Sequence, residues 1–237
     1  MLCYKQALEM DEKNKKIIAF DLDGTLILSG ASERAHYDFF KVMSVLLDDE
    51  SIESLAGKEE WMGDVIQIMS EYTGLNPKNK HSKKAIIKMA RNIYQLLYLK
   101  AMHENKDDLY LPEIAIVLKT LKKEGFVLTI VTTMPETIVK PILETFGIIN
   151  LIDIIETQSL DESPDKKELL EDFCNKHGKP AAYIGNSRED SEACNHLGIR
   201  FILAGWDISK EEADDIESDA TVFNPEELIN IVKSLQD

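Results

Sequence analysis

Ile17-Ile18-Ala19-Phe20-Asp21-Leu22-Asp23-Gly24-Thr25-Leu26 is the stretch from which the rest of this 237-residue chain can be read. Four apolar residues follow a lysine-rich lead and stop at two aspartates one residue apart, with a glycine directly after the second. A short, nearly unbroken apolar run closed by turn residues suits a strand buried on both faces of a parallel sheet. Strand alternation would point both carboxylates the same way, and the glycine permits a turn that separates their roles. One carboxylate can then attack an electrophile while the other handles a proton. A metal ion nearby would offset their mutual repulsion.

The next comparable run, Phe126 to Val131, comes about a hundred residues later and ends at Thr132-Thr133-Met134-Pro135. The sequence between them has helical character. Ile52 to Leu55 and Val65 to Met69 carry helix-spaced apolar residues. Along Ala85 to Met102, the residues Ile86, Met89, Ile93, Leu96, Leu97 and Met102 are expected to share one face. Residues 28–106 therefore read as a helical insertion with its own small domain, between core segments 1–27 and 107–237.

Beyond the insertion, strands and helices alternate. Helices are expected over Pro112 to Lys123, Pro135 to Phe146, Asp165 to His177, Glu189 to Leu197 and Pro225 to Leu235. Strands are expected over Leu151 to Ile155, Ala181 to Ile184 and Arg200 to Leu203. This alternation predicts an α/β fold, a doubly wound parallel sheet carrying a small all-helical domain. Ligands of such sheets sit beyond the carboxyl ends of the strands. The informative loops are therefore those that begin at Asp21, Thr132, Glu156 and Gly185.

Composition narrows the function classes. Asp and Glu number 43 against 27 Lys and Arg, a formal net charge of −16, which disfavours nucleic acid and anionic lipid as partners. A phosphorylated metabolite can still bind where a metal ion and a few donors focus positive potential. Cys3, Cys174 and Cys194 have no metal or disulfide spacing and read as reduced thiols. With no apolar stretch of signal-peptide or membrane-spanning length, the expected location is the cytoplasm.

An apolar strand followed by Asp-Leu-Asp-Gly-Thr-Leu resembles the first motif of the haloacid dehalogenase superfamily, and the other loops follow its order. The resemblance implies a Rossmann-like core and a nucleophile at Asp21 that forms an aspartyl-phosphate. Asp23 would protonate the leaving alcohol and later activate water. An Asp at this second position marks the phosphatase and phosphomutase branches. Thr132 corresponds to the family's phosphoryl-binding hydroxyl. For the family's lysine, Asp161 stands where one common pattern places it, so Lys166 or Lys167 at the helix start takes the part, with Lys166 favoured. Leu22, Thr132, Thr133 and Lys166 are expected to contact the substrate phosphate. In Ile184-Gly185-Asn186-Ser187-Arg188-Glu189-Asp190, Asn186 replaces the first acid of the fourth motif. Asp21, Asp23, Asn186 and Asp190 are then the expected Mg²⁺ set, with metal affinity lowered by the lost charge.

The implied activity is Mg²⁺-dependent hydrolysis of a small phosphomonoester, with the helical insertion as a cap. A sugar phosphomutase and a non-catalytic metabolite-binding protein with a decayed site remain the alternatives. His36 and Arg34 could face the site. Trp61 and Met62 read as cap core, the remaining histidines as ordinary surface or core residues, and Glu211 to Asp219 as a solvated acidic face.

Overall fold

Ile17–Phe20 becomes a strand, β1, because both of its faces find apolar cover. Ile18 and Phe20 point into one buried cluster and Ala19 into another. The same alternation divides Ala182 and Ile184 from Tyr183, and Ile202 and Ala204 from Phe201 and Leu203. The computed structural model describes residues 16–58 and 61–235; Cys3 and the start of the expected first core segment lie outside them. The other strands are β2 (Val127–Thr132), β3 (Ile154–Thr157), β4 (Ala182–Gly185), β5 (Phe201–Ala204) and β6 (Ala220–Val222). Among the described residues they make a six-stranded sheet of order β3-β2-β1-β4-β5-β6, parallel throughout.

Two layers of helices cover this doubly wound sheet. Pro112–Lys123, Glu136–Thr145 and Glu227–Lys233 supply Val117, Leu118, Ile142, Leu143 and Val232 to the cluster against Phe20. Lys166–His177 and Arg188–Leu197 supply Leu170, Phe173 and Ala193 to the cluster against Tyr183. The chain order reverses on either side of β1, so the loops after β1 and β4 open onto the crevice where such sheets bind ligands. No helix among the described residues is long and apolar enough to cross a membrane.

Between β1 and Pro112 the chain is helical: α1 (Gly30–Leu47), a 3₁₀ segment (Glu50–Gly57), α2 (Trp61–Thr73) and α3 (Lys80–Glu104). Phe39, Phe40, Met43, Val65, Met69 and Ile86 form a third, separate buried cluster there. Asn79 caps α3 by accepting N–H bonds from His81 (3.0 Å) and Ser82 (3.1 Å). The later helices are α4 (Pro112–Lys123), α5 (Glu136–Thr145), α6 (Lys166–His177), α7 (Arg188–Leu197), α8 (Lys210–Asp214) and α9 (Glu227–Lys233).

Three details depart from the sequence reading. The buried stripe of α3 contains Ile86, Ile87, Ala90, Arg91, Gln95, Tyr98 and Ala101, whereas Met89 and Leu96 are exposed. An apolar-only count skips Arg91 and Gln95, and so turns the expected face by about one position. β3 starts at Ile154, because Ile149–Leu151 coils into a 3₁₀ turn and Asp153 Oδ2 accepts from Leu128 N (2.9 Å). β6, three residues at the sheet edge, has too little apolar pattern to be read from sequence.

Candidate active site

The loop after β1 is held to its neighbour by backbone bonding and close fit. Asp21 N donates to Ile184 O at 2.8 Å, and the Leu22 carbonyl accepts from Leu26 N at 2.9 Å. Gly24 has φ +72°, and a Cβ there would stand 1.9 Å from Asn186 Nδ2. A side chain at this position would therefore be strained in its backbone and would collide with the loop after β4. Gly185 allows a second close approach, since a Cβ on it would meet Asp190 Oδ2 at 2.5 Å.

At the strand ends lies a cavity of about 320 Å³, with Asp21, Asp23, Thr132, Thr133, Lys166 and Asn186 in its wall. Asp21 and Lys166 form the centre of its floor. Lys166 Nζ lies 2.6 Å from Asp21 Oδ1 and 3.0 Å from Asp190 Oδ1. It also donates to the Tyr183 hydroxyl at 2.9 Å, and that hydroxyl donates to Val131 O at 2.9 Å. The ammonium is thus fixed between two carboxylates in a largely buried setting. Lys167, the neighbouring candidate, is exposed. Asp165 explains the difference: it caps α6 by accepting from Glu168 N at 2.9 Å, and so turns Lys166 inward as the first helical residue.

Burial sets the electrostatics. It pushes Asp21 up to about 6, with Lys166 opposing the rise and Asp190 adding to it. Burial pushes Asp23 to about 7, against hydrogen bonds from Ser32 and Tyr98 and with Asp21 adding to the rise. Burial alone would lower Lys166, but Asp190 and Asp21 hold it above its ordinary value. A carboxyl raised toward neutrality can both give a proton and take one back. Tyr98 from α3 donates to Asp23 Oδ1 at 3.1 Å, so the helical insertion touches the acid directly.

Asp23 also makes a stability prediction. Its folded-state value is raised from 3.8 to about 7, so the unfolded chain releases this proton before the folded chain does. Stability is therefore lost as pH rises through that window. In metal-free buffer, Asp23→Asn should be more stable than wild type at pH 8, by on the order of 1 to 3 kcal/mol, and should match it near pH 4. Urea denaturation at the two pH values checks this, and equal stability at pH 8 contradicts it.

Other expected residues fall elsewhere. Leu22 is fully buried and does not line the cavity; its N–H bonds to the Asp21 carboxylate. Asp190 does not line the cavity either. It is wholly buried beneath the floor, with Oδ1 near Lys166 and 3.2 Å from the Tyr183 hydroxyl. Its Oδ2 accepts from Ser187 Oγ (2.7 Å) and Ser187 N (3.2 Å). A reciprocal cap at the start of α7 draws it there, a local pull that motif order does not reveal. His36 contacts Ala56 O at 3.0 Å and Arg34 pairs with Asp38, both within the insertion. Among the remaining histidines, His81, His103, His177 and His196 are exposed.

Trp61 and Met62, read as cap core, also line the cavity. Trp61 stacks on Tyr94 at 6.1 Å and meets Phe40 edge-on at 5.6 Å, so one ring serves both the core and the cavity wall. The sequence reading missed Arg91 and Gln95. Arg91 donates to Thr133 O (2.5 Å), Ser159 O (2.7 Å) and Glu162 O (2.7 Å), tying α3 to the loops after β2 and β3. Asp161, where one family pattern has its lysine, instead pairs with Lys84 of α3 at 3.1 Å. The available signal was two polar residues one turn apart inside an otherwise apolar stripe.

Hard oxygen donors for a divalent cation do converge. Asp21, Asp23 and Asn186 all face the cavity, and Mg²⁺ is content with few protein oxygens. Among the described residues, no cluster of three or more His, Cys, Asp or Glu side chains is spaced for a metal ion. Any such site is therefore two carboxylates, an amide and backbone.

Comparison with known proteins shows the family and the fold. The sequence model of the haloacid dehalogenase-like hydrolases matches residues 15–198. The phosphoglycolate phosphatase of Haemophilus influenzae is 28% identical over 202 residues, 79% of this chain and 84% of the relative. That of Pasteurella multocida is 29% identical over 201 residues, with the same two coverages. Among solved structures, a haloacid dehalogenase-like hydrolase from Streptococcus pneumoniae superposes with TM-score 0.63 at 21% identity, covering 93% of this chain and 99% of that one. CbbY from Rhodobacter sphaeroides, solved in complex with phosphate, gives 0.61 at 17% identity, covering 90% and 96%.

Proposed function

The chain belongs to the haloacid dehalogenase-like hydrolases as a phosphatase of that family, and from that footing we propose that it hydrolyses the phosphomonoester of a small metabolite through an aspartyl-phosphate on Asp21. The observation that carries the reading is the Lys166–Asp21 contact of 2.6 Å at the floor of a cavity that Asp23, Thr132 and Asn186 also line.

In the proposed reaction Lys166 holds Asp21 Oδ1, and the other carboxylate oxygen attacks phosphorus. The bond between phosphorus and the ester oxygen breaks, and Asp23 gives its proton to the departing alkoxide. Asp23, now ionised, takes a proton from water. That water's oxygen attacks the phosphoryl group, freeing Asp21 and inorganic phosphate. The Thr132 hydroxyl and the Lys166 ammonium offset charge on the phosphoryl oxygens. A Mg²⁺ ion held by Asp21, Asp23 and Asn186 would supply further positive charge to the same oxygens. The helical insertion acts as a cap: Arg91 and Lys84 tie it to the core, and Tyr98 fixes Asp23. Water excluded by such a cap cannot compete with these contacts. The proposed setting is the cytoplasm.

Phosphoglycolate is the first substrate to try, because the curated relatives carry its name. Incubation with 2-phosphoglycolate and Mg²⁺ should release inorganic phosphate, and EDTA should stop the release. Transfer of the phosphoryl group to a sugar phosphate, without free phosphate, would identify a phosphomutase. No Mg²⁺-dependent release from any member of a broad phosphoester panel would leave only a binding role.

A further inference from the structure

One buried side chain at the cavity wall is only half used. Gln95 is 92% buried in α3 and lines the cavity. Its Oε1 accepts from the Thr137 hydroxyl of α5 at 2.6 Å, but its Nε2 is buried without any hydrogen-bond partner. An amide N–H left unpaired in a protein interior is costly, and native structures keep such groups chiefly where a ligand or water completes them.

The surroundings say what kind of group fits. The phosphoryl end of the cavity is occupied by Asp21, Lys166 and Thr132. Trp61, Met62, Tyr94 and Ile138 also line the cavity, so Gln95 adds a polar point to a wall with several apolar side chains. A cavity of about 320 Å³ holds a phosphoryl group together with the alcohol portion of a small metabolite. Arg91, one turn before Gln95, brings positive charge to the same wall, which favours an acceptor over an ammonium.

We propose that Gln95 determines specificity: its amide N–H donates to an acceptor oxygen on the alcohol portion of the substrate. The preferred substrates are then phosphomonoesters whose alcohol portion carries a carboxylate or carbonyl oxygen, rather than plain alkyl phosphates. This rests on the phosphatase reading above and adds which substrates that site selects. Gln95 thereby acts on the leaving group, apart from the phosphoryl-transfer groups.

Three esters with the same two-carbon backbone separate the possibilities: 2-phosphoglycolate offers an acceptor, ethyl phosphate offers neither donor nor acceptor, and 2-aminoethyl phosphate offers a donor. Wild type should favour phosphoglycolate over ethyl phosphate by about 10- to 100-fold in kcat/KM. Gln95→Leu should bring that ratio close to one, with the greater loss on phosphoglycolate. Thr137→Val, which frees the amide to rotate without touching the cavity lining, should lower the ratio part of the way. A Gln95→Leu variant that slows both esters equally shows a merely structural role and overturns the proposal. So does an unchanged ratio, or a wild-type preference for 2-aminoethyl phosphate. Wild type that hydrolyses none of the three, nor p-nitrophenyl phosphate, overturns the phosphatase reading itself and the proposal with it. Should Gln95→Leu fail to fold, the Thr137→Val ratio decides: a ratio equal to wild type's counts against the proposal.

Discussion

Asp21→Asn is expected to reduce phosphate release by at least about 10⁴-fold while leaving the fold intact. An amide of the same shape cannot attack phosphorus at a useful rate. Lys166 keeps Asp190 Oδ1 as a partner at 3.0 Å, so removing the charge at position 21 does not isolate the ammonium. Removing one of two buried carboxylates also relieves the repulsion that helps raise Asp21 to about 6. The folded state should therefore be no less stable than wild type at pH 8. Steady-state phosphate release together with a thermal melt checks both halves. A variant that retains a tenth of wild-type turnover would remove Asp21 from the nucleophile's role.

Lys166→Met is expected to fail in two ways. Loss of the ammonium takes a charge from the phosphoryl oxygens, at a cost of about 10² to 10³ in kcat. It also leaves Asp21 and Asp190 buried together without their cation, a situation that costs about 3 to 5 kcal/mol. The second loss carries a pH signature. Without Lys166 the Asp21 carboxyl, already raised by burial, loses the cation that opposes the rise and favours the protonated form still more. Stability is then regained as pH falls, and the deficit against wild type should shrink between pH 8 and pH 5. Lys167→Met, at an exposed position, should stay within about 0.5 kcal/mol of wild type. Parallel denaturation curves at the two pH values test this. Equal effects at 166 and 167 would contradict the assignment of the lysine.

Much of the sheet could be read from sequence because parallel strands covered on both faces leave unbroken apolar runs, as at Ile17 to Phe20 and Phe201 to Ala204. Glycine stops such as Gly147 and Gly178 made the helix ends legible. What stayed hidden was mainly which polar side chains find partners on other segments. Arg91 and Gln95 are buried because the loops after β2 and β3 and the start of α5 present carbonyls and a hydroxyl to them. Tyr183 is buried in a strand because its hydroxyl meets Lys166 and Val131 O, and nothing in the local pattern says so. Asp190 has a first-turn position that fits the motif, yet its bonds to Ser187 keep it below the cavity. Motif order named the loops, but which atoms face the cavity was decided largely by contacts between separate segments, such as Lys166 with Asp21 and Tyr98 with Asp23.

Those contacts place one carboxylate where it can become covalently phosphorylated, and that event can be caught. Wild-type enzyme mixed with Mg²⁺ and a turned-over phosphomonoester, then quenched into borohydride, should carry homoserine at position 21 in the peptide recovered for mass spectrometry. The same treatment of Asp21→Asn should give an unmodified peptide. Steady release of phosphate with no reduction at position 21, or with reduction at another carboxylate, would contradict the account.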